Sequence, residues 1–328
     1  MHINKWMLGT LSVGAMAAVL SACATSTPSP EATQAVTAAP QVTEAPTAAP
    51  TEVPTEAPTA APTPVAAIPD GAVAFKGKLM VCSDLPYPPL EFYDENGNPT
   101  GSDIEIAMEI GNRLGLEVRI VNSVFDTIIA AVNSGKCDII VSDQNITTDR
   151  QKQVSMIKYF SAGQSMVAAK GNPSKINTPT DLCGLSAAAE SGTTEADYLN
   201  ATGDYAGAGL PAECTKAGKP PVTVVVTQKD TDALLQLQSG KVAVYFADTP
   251  VAAYYTVQHP DQYELVGQVI DPADVGISVP CGKEDCTGAP LSPLGEVIKA
   301  ALTSMINDGA YGKILDKWNL SSGAVTAP

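Results

Sequence analysis

Lys78-Leu-Met-Val-Cys82 is a continuous apolar run of strand length. It is halted by Ser83-Asp84-Leu85-Pro86-Tyr87-Pro88-Pro89, whose prolines continue neither a strand nor a helix. Asp94-Glu-Asn-Gly-Asn98 signals a turn, and with Gly97 at its fourth position rather than its sixth it lacks the spacing of a calcium loop. Ser102-Asp103-Ile104-Glu105 has capping-box spacing, and Ile106, Ile110 and Leu114 follow at helical intervals up to Gly115. The pattern then predicts a strand over Leu116 to Val121, a short helix over Phe125 to Val132 and a buried strand over Asp138 to Ser142. Such alternation implies an α/β fold with a parallel sheet covered on both faces.

The second half repeats this grammar more loosely. A strand is predicted over Val222 to Thr227, a helix over Asp230 to Gln238, and a strand over Lys241 to Ala247 that ends in Asp248. Leu294, Val297, Ile298, Ala301, Leu302, Met305 and Ile306 form an apolar helical stripe, stopped by Asp308-Gly309. Two similar units suggest two lobes. Ligands in such sheets bind beyond the carboxyl ends of the strands, where Asp84, Asp143 and Asp248 are all expected.

The amino-terminal segment obeys different rules. Residues 1–23 read as an export signal: Lys5, an apolar run from Trp6 to Leu20, and then Leu20-Ser21-Ala22-Cys23, which resembles the box of a bacterial lipoprotein signal with Cys23 as the lipidated residue. The alternative is an ordinary signal peptide with an incidental cysteine. Residues 24–71 are Ala, Thr, Pro and Glu with scarcely a large side chain, which cannot bury enough apolar area to offset the entropy of ordering, so a disordered tether is expected there. The folded part is then 72–328, and the protein is expected to be exported and held by acyl chains to the outer face of a cell membrane.

A formal net charge of −16 without a basic stripe excludes nucleic acid as a partner. Only His2 and His259 are present and no Cys-x-x-Cys occurs, which disfavours zinc; neither a metal nor a cofactor is expected. In an oxidising compartment the cysteines should pair: Cys281 with Cys286 around a short turn, and Cys183 with Cys214. Cys82 and Cys137 lie in separate apolar patterns, and their pairing stays open.

Chemistry concentrates in Val141-Ser142-Asp143-Gln144-Asn145-Ile146-Thr147-Thr148-Asp149-Arg150, where an apolar strand runs into polar side chains and a single arginine. A guanidinium at a strand end can grip a small carboxylate in bidentate geometry. The bland alternative is a capped turn with a surface arginine.

This segment has companions in a fixed order: Cys82-Ser-Asp84-Leu-Pro-Tyr87-Pro-Pro-Leu-Glu-Phe92; Gly101-Ser-Asp103-Ile-Glu-Ile; Phe125-Asp-Thr-Ile-Ile; Gly135-Lys-Cys-Asp138; Glu190-Ser-Gly-Thr-Thr194; Gly240-Lys-Val-Ala-Val-Tyr-Phe-Ala-Asp248; and Asp308-Gly-Ala-Tyr311-Gly-Lys-Ile-Leu-Asp-Lys-Trp318. Together they make residues 76–320 resemble the bacterial extracellular solute-binding proteins of family 3, the amino-acid-binding components of ABC importers. The resemblance implies a two-lobed periplasmic-binding-protein fold of the second type, with lobe 1 at about 74–162 plus 268–328, lobe 2 at about 163–267, and two strands between them as a hinge. It implies a monomer without enzymatic activity that delivers an L-amino acid to a membrane permease; the carboxylates Asp84, Asp143 and Glu190, which need a partner when buried, point to a basic or polar one.

The resemblance also implies roles. Arg150 pairs with the ligand α-carboxylate, Thr194 and the Ser191-Gly192-Thr193 turn donate to it, and Asp248 accepts the ammonium. Tyr87 and Phe125 form the wall around the side chain unless they are core. Asn145 fixes the strand end and reaches the ligand, or merely forms an Asx-turn. Asp84 either touches the ligand side chain or ties down the Tyr87 loop. Three departures from the family pattern stand out: Ser102 replaces an aromatic residue, Asp143 a small neutral one, and Glu190 a basic or amide one. The last two add carboxylates near the ligand. Two other classes remain: an enzyme like the cyclohexadienyl dehydratases, which share the fold, and a ligand-sensing lipoprotein.

Overall fold

A computed structural model describes residues 67–328. The expected export signal, Cys23 and the tether up to residue 66 lie outside the described residues.

In chain order the elements are β1 Lys78–Ser83, β2 Phe92–Tyr93, β3 Pro99–Thr100, α1 Ser102–Leu114, β4 Glu117–Asn122, α2 Ile128–Asn133, β5 Ile139–Ile140, α3 Thr148–Gln151, β6 Ser155–Ala169, β7 Ser186–Glu190, α4 Thr194–Asn200, α5 Gly209–Lys216, β8 Thr223–Thr227, α6 Asp230–Gln238, β9 Val244–Asp248, α7 Thr249–Gln258, β10 Tyr263–Val279, α8 Pro293–Asp308 and α9 Ala310–Lys317. The main sheet has the order β4-β1-β5-β10-β6-β9-β7-β8. Its two wings are parallel, β1 pairing with β4 and β5, and β7 with β8 and β9. The long strands β6 and β10 run antiparallel to each other through both wings, so the sheet is mixed rather than wholly parallel as the alternation predicts.

Period-two alternation explains the packing of the first wing. Leu79, Val81, Ile139 and Val141 face a core that contains Ile106 and Ile110 of α1 and Ile298 and Leu302 of α8. Cys82 and Ile140 face the opposite side, against Ile128 and Val132 of α2. The second wing has its own core, in which Ala187, Ala189, Val244 and Phe246 pack with Leu199 and Leu210.

Between the wings β6 and β10 lose their regularity. Their register shifts between Val266 and Ile270, between Ile270 and Ala273, and between Val275 and Gly276. Gly163 lies at this crossing, where a Cβ would overlap the Val269 side chain. Two lobes therefore share one sheet, joined by two strands whose pairing is weakest midway.

The capping box at Ser102 does not form. Gly101 is the N-cap, at φ 119°, and no side chain caps α1. A Cβ at Gly101 would meet the Leu90 carbonyl, so the close approach of this loop dictates the residue. Asp103 turns inward, accepting from the Tyr159 hydroxyl at 2.5 Å and from Asp143 N–H at 2.9 Å. By contrast α8 has local caps: Ser292 accepts from Gly295 N–H, and Gly309 ends the helix in the left-handed region.

Three disulfides are present, Cys82–Cys137, Cys183–Cys214 and Cys281–Cys286. The first ties β1 to the turn before β5, a pairing that depends on the parallel β1–β5 contact and so on tertiary structure. Among the described residues no helix is long and apolar enough to cross a membrane.

Candidate functional site

The carboxyl ends of the strands from both wings converge. Asp84 follows β1, Asp143 and Asn145 follow β5, Glu190 ends β7 and Asp248 ends β9. Together with Tyr87, Glu91, Phe125, Arg150, Thr193 and Glu195 they line a single pocket. Among the expected residues Thr194 is missing from the lining, as are Ser191 and Gly192 of the preceding turn. The Thr194 hydroxyl is taken up by Asn145 Oδ1 at 3.1 Å and by Glu195 Oε2 at 3.3 Å, while Thr193, the N-cap of α4, and Glu195 face the pocket instead.

Arg150 is buried, 7% exposed, although it is the third residue of the short helix α3, whose other residues are exposed. Thr147 caps α3 by accepting from Arg150 N–H at 3.2 Å, which fixes the backbone from which the side chain departs. Its guanidinium donates to the Asn145 carbonyl at 2.9 Å and, across the cleft, to the Gly192 carbonyl at 2.9 Å. The Phe125 ring lies beneath it, 5.2 Å from ring centroid to Cζ. Two donors are thus used for positioning, and the remaining N–H groups of the fork stay available to an anion. Burial pulls the guanidinium pKa down while Glu195, Asp248, Asp197 and Asp143 push it up, and an arginine stays charged in either case.

Asp143 adopts φ 42°, a left-handed conformation that aspartate tolerates better than most residues. Its N–H is held by Asp103 and by the Tyr159 oxygen at 3.2 Å, and neither of its carboxylate oxygens has a hydrogen-bond partner among the described residues. The same is true of one oxygen each on Glu91, Glu190, Glu195 and Asp248, and of the Asn145 amide nitrogen. Burying a polar group without a partner costs free energy, so atoms of this kind concentrated in one pocket point to a ligand that satisfies them.

The carboxyls share one electrostatic condition. Desolvation raises Asp248 to about 6 against the Tyr87 hydroxyl and the Arg150 charge. It raises Glu190 to about 10, helped by the nearby Asp84 and Asp230. Asp143 and Glu195 are pushed well up by burial and by the Asp248 charge. Behind this layer Asp103 rises to about 6 and Asp230 to about 7, again through burial, each eased by a tyrosine hydroxyl, Tyr159 and Tyr245 respectively. A pocket crowded with carboxyls at the edge of ionisation favours a cationic guest.

Asp84 too is raised by burial, against the opposing Lys229 charge, but unlike the others its oxygens are already engaged. Oδ2 accepts from Phe125 N–H at 2.7 Å, and Oδ1 forms an ion pair with Lys229, whose ammonium also donates to the Leu85 carbonyl at 3.2 Å. Through Lys229 and the Leu85 carbonyl Asp84 is tied to the loop that carries Tyr87, and it also lines the pocket.

Sequence reasoning missed Glu91, Glu195 and Lys229, whereas Thr193 belongs to the Ser191-Gly192-Thr193 turn already expected at the site. Glu91 lay inside the quoted Pro-Leu-Glu-Phe92 segment and Glu195 directly after Thr194, so the signal was adjacency to residues already singled out. No sequence pattern marks Lys229.

The fold matches solved structures of periplasmic-binding-protein type. An ancestral arginine-binding protein bound to arginine is 34% identical, with a TM-score of 0.64 over 74% of this chain and 98% of that one. An ancestral amino acid-binding protein described as a precursor of cyclohexadienyl dehydratase is 29% identical, with a TM-score of 0.60 over 74% of this chain and 95% of that one. Among curated relatives, the ABC transporter arginine-binding protein 1 of Escherichia coli (strain K12) is 28% identical over 71% of this chain and 86% of its own length. The family model for bacterial extracellular solute-binding proteins, family 3, matches residues 79–321, and the chain belongs to that family.

Proposed function

We propose that this protein is the lipid-anchored substrate-binding component of an ABC importer, capturing an L-amino acid with a basic or polar side chain by closing its two lobes and passing it to a permease. The observation that carries the reading is the composition of the pocket: one buried, pre-positioned guanidinium among six carboxyls, five of which keep at least one unpaired oxygen. Arg150, with backbone N–H donors around Thr193 and Thr194, whose hydroxyls are already donated to the Glu190 carbonyl and to Asn145, takes the α-carboxylate. Asp248 takes the α-ammonium, with Asp143 and Glu195 near it. Tyr87 and Phe125 flank the side chain, and Asp84 and Glu190 stand at its far end. The arginine-binding relatives support a cationic guest. The lobes divide at about residues 162 and 267, within the irregular stretch of β6 and β10, so that closure is a hinge motion.

A thermal-shift screen of the full chain against the twenty amino acids, with ornithine and citrulline added, tests this. Ligand at 100 times its dissociation constant stabilises by about 2.7 kcal/mol, enough to read. Arginine, lysine or ornithine should give the largest shifts, with glutamine behind them. A strong response to glutamate with none to the basic amino acids would sink the cationic reading. For the anchor, Cys23→Ala should release the protein from the membrane fraction, and retention after a salt wash would count against lipidation.

The likeness to a dehydratase precursor favours one second reading, a carboxylate-driven elimination. Glu190, held protonated by its surroundings, would be its acid. Incubation with prephenate or arogenate decides it, because catalytic turnover to an aromatic product would overturn the assignment as a binding protein.

A further inference from the structure

Lys229 belongs to the turn between β8 and α6 and caps no helix with its side chain. Its ammonium reaches across the cleft to Asp84, which is 4% exposed, and to the Leu85 carbonyl. With Phe125 N–H on the other oxygen, Asp84 has both of its oxygens satisfied by protein. Glu190 stands beside it, 6% exposed, with Oε1 lacking a hydrogen-bond partner among the described residues. The two neighbouring carboxyls are therefore in different states: Asp84 is engaged at both oxygens, whereas Glu190, in hydrogen-bond contact with Asp84, keeps Oε1 open.

We propose that Lys229 is a specificity-determining residue: by occupying Asp84 it leaves Glu190 as the single open carboxyl at the far end, so that this end receives a neutral amide or ureido side chain as well as a cationic one. The inference rests on the assignment of this end to the ligand side chain. Its logic is a charge count. The Asp84 carboxylate and the Lys229 ammonium cancel, and Glu190 carries a proton in the empty pocket because burial and the neighbouring Asp84 disfavour a second charge. A neutral carboxyl both donates and accepts, which suits the carbonyl and the N–H groups of an amide. Faced with a guanidinium, the same carboxyl releases its proton to solvent and pairs as a carboxylate. Take Lys229 away and the balance tips. Asp84 then becomes a buried carboxylate without a cation, which a neutral guest leaves uncompensated and a cationic guest neutralises.

L-arginine and L-citrulline, nearly equal in shape and different in charge, provide the test by titration calorimetry on the full chain. In Lys229→Met the ratio of citrulline to arginine dissociation constants should rise by about tenfold or more over wild type, whereas Lys229→Arg should keep it within about twofold. Lys229→Gln removes the charge while keeping a hydrogen-bonding group, and it should reproduce the rise if the methionine variant does not fold. A ratio that stays constant while both ligands weaken together would make Lys229 a mere clasp between lobes and overturn the proposal. Wild-type protein that binds some amino acid but neither of this pair overturns it too, with the proposed function intact. Wild-type protein that binds no amino acid at all places the failure in the proposed function instead.

Discussion

The Tyr87 hydroxyl donates to Asp248 Oδ2 at 2.9 Å and accepts the backbone N–H of the same residue at 3.1 Å. The two residues lie 161 positions apart, in different lobes, so one phenol clasps the closed cleft at the point proposed to hold the ligand ammonium. Tyr87→Phe keeps the ring and removes both bonds. A charged hydrogen bond contributes about 1.5–3 kcal/mol, so the dissociation constant should rise by roughly ten- to a hundredfold. Stopped-flow measurement should place most of that change in the release rate, and a change confined to association would contradict the clasp.

Arg150 is proposed to be the carboxylate anchor. Truncation to alanine strands a buried partner at a cost of about 3–5 kcal/mol, which weakens any amino-acid ligand by roughly two to three powers of ten. Arg150→Lys should rescue little, since a single ammonium cannot hold the Asn145 and Gly192 carbonyls and a carboxylate at once. Calorimetry showing near-native affinity in the alanine variant would remove Arg150 from the site.

The buried carboxyls make stability depend on pH in an unusual direction. Asp248 and Asp103 titrate at about 6 and Asp230 at about 7 in the folded chain, against 3.8 for an ordinary aspartate. Between those values the native state holds more protons than the unfolded one. Their contribution is therefore complete below the unfolded pKa and is lost as pH rises through 6 to 7. Ligand-free protein should melt a few degrees higher at pH 5 than at pH 8 in scanning calorimetry. Ligand affinity should move oppositely, falling as Asp248 becomes protonated below about pH 6. A ligand-free melting temperature that climbs steadily toward pH 8 would contradict these assignments.

The three disulfides close loops of 55, 31 and 5 residues. Chain entropy then assigns about 4 kcal/mol to Cys82–Cys137, slightly less to Cys183–Cys214 and about 2 kcal/mol to Cys281–Cys286. Paired Cys→Ala variants unfolded in urea should follow that order, and the largest loss at Cys281–Cys286 would show that strain or local packing outweighs loop closure.

The alternation of strand and helix in the first wing was legible because each element is specified locally, by a run of apolar residues between turn formers. The helix over Asp230 to Gln238 agrees with α6 to the residue for the same reason. The start of α1 was misread because its cap is tertiary: Asp103 is recruited by Tyr159, 56 positions away. The pattern of apolar residues did not reveal the long strands β6 and β10, since the middle of β10 is exposed and contains Pro272, which reads as loop. Within the pocket, strand ends could be read from sequence, but the lysine that neutralises Asp84 lies 145 positions away in a featureless turn. Contacts of that range leave no local trace.

The order of strands β5-β10-β6 has a consequence for how the chain acquires its structure. The second wing is built from one continuous stretch, β7 to β9, whereas β5 of the first wing must wait for β10 before its open edge is covered, and Tyr311 of α9 must return to the Tyr159 carbonyl, 152 positions back. Closing loops of that length is slow relative to local pairing. The inserted wing should therefore gain protected amides first, and pulsed hydrogen exchange during refolding should show β7–β9 protected before β1 and β5. Until then the first wing exposes an unpaired strand edge, which makes the nascent protein dependent on the late arrival of β10 for protection against self-association.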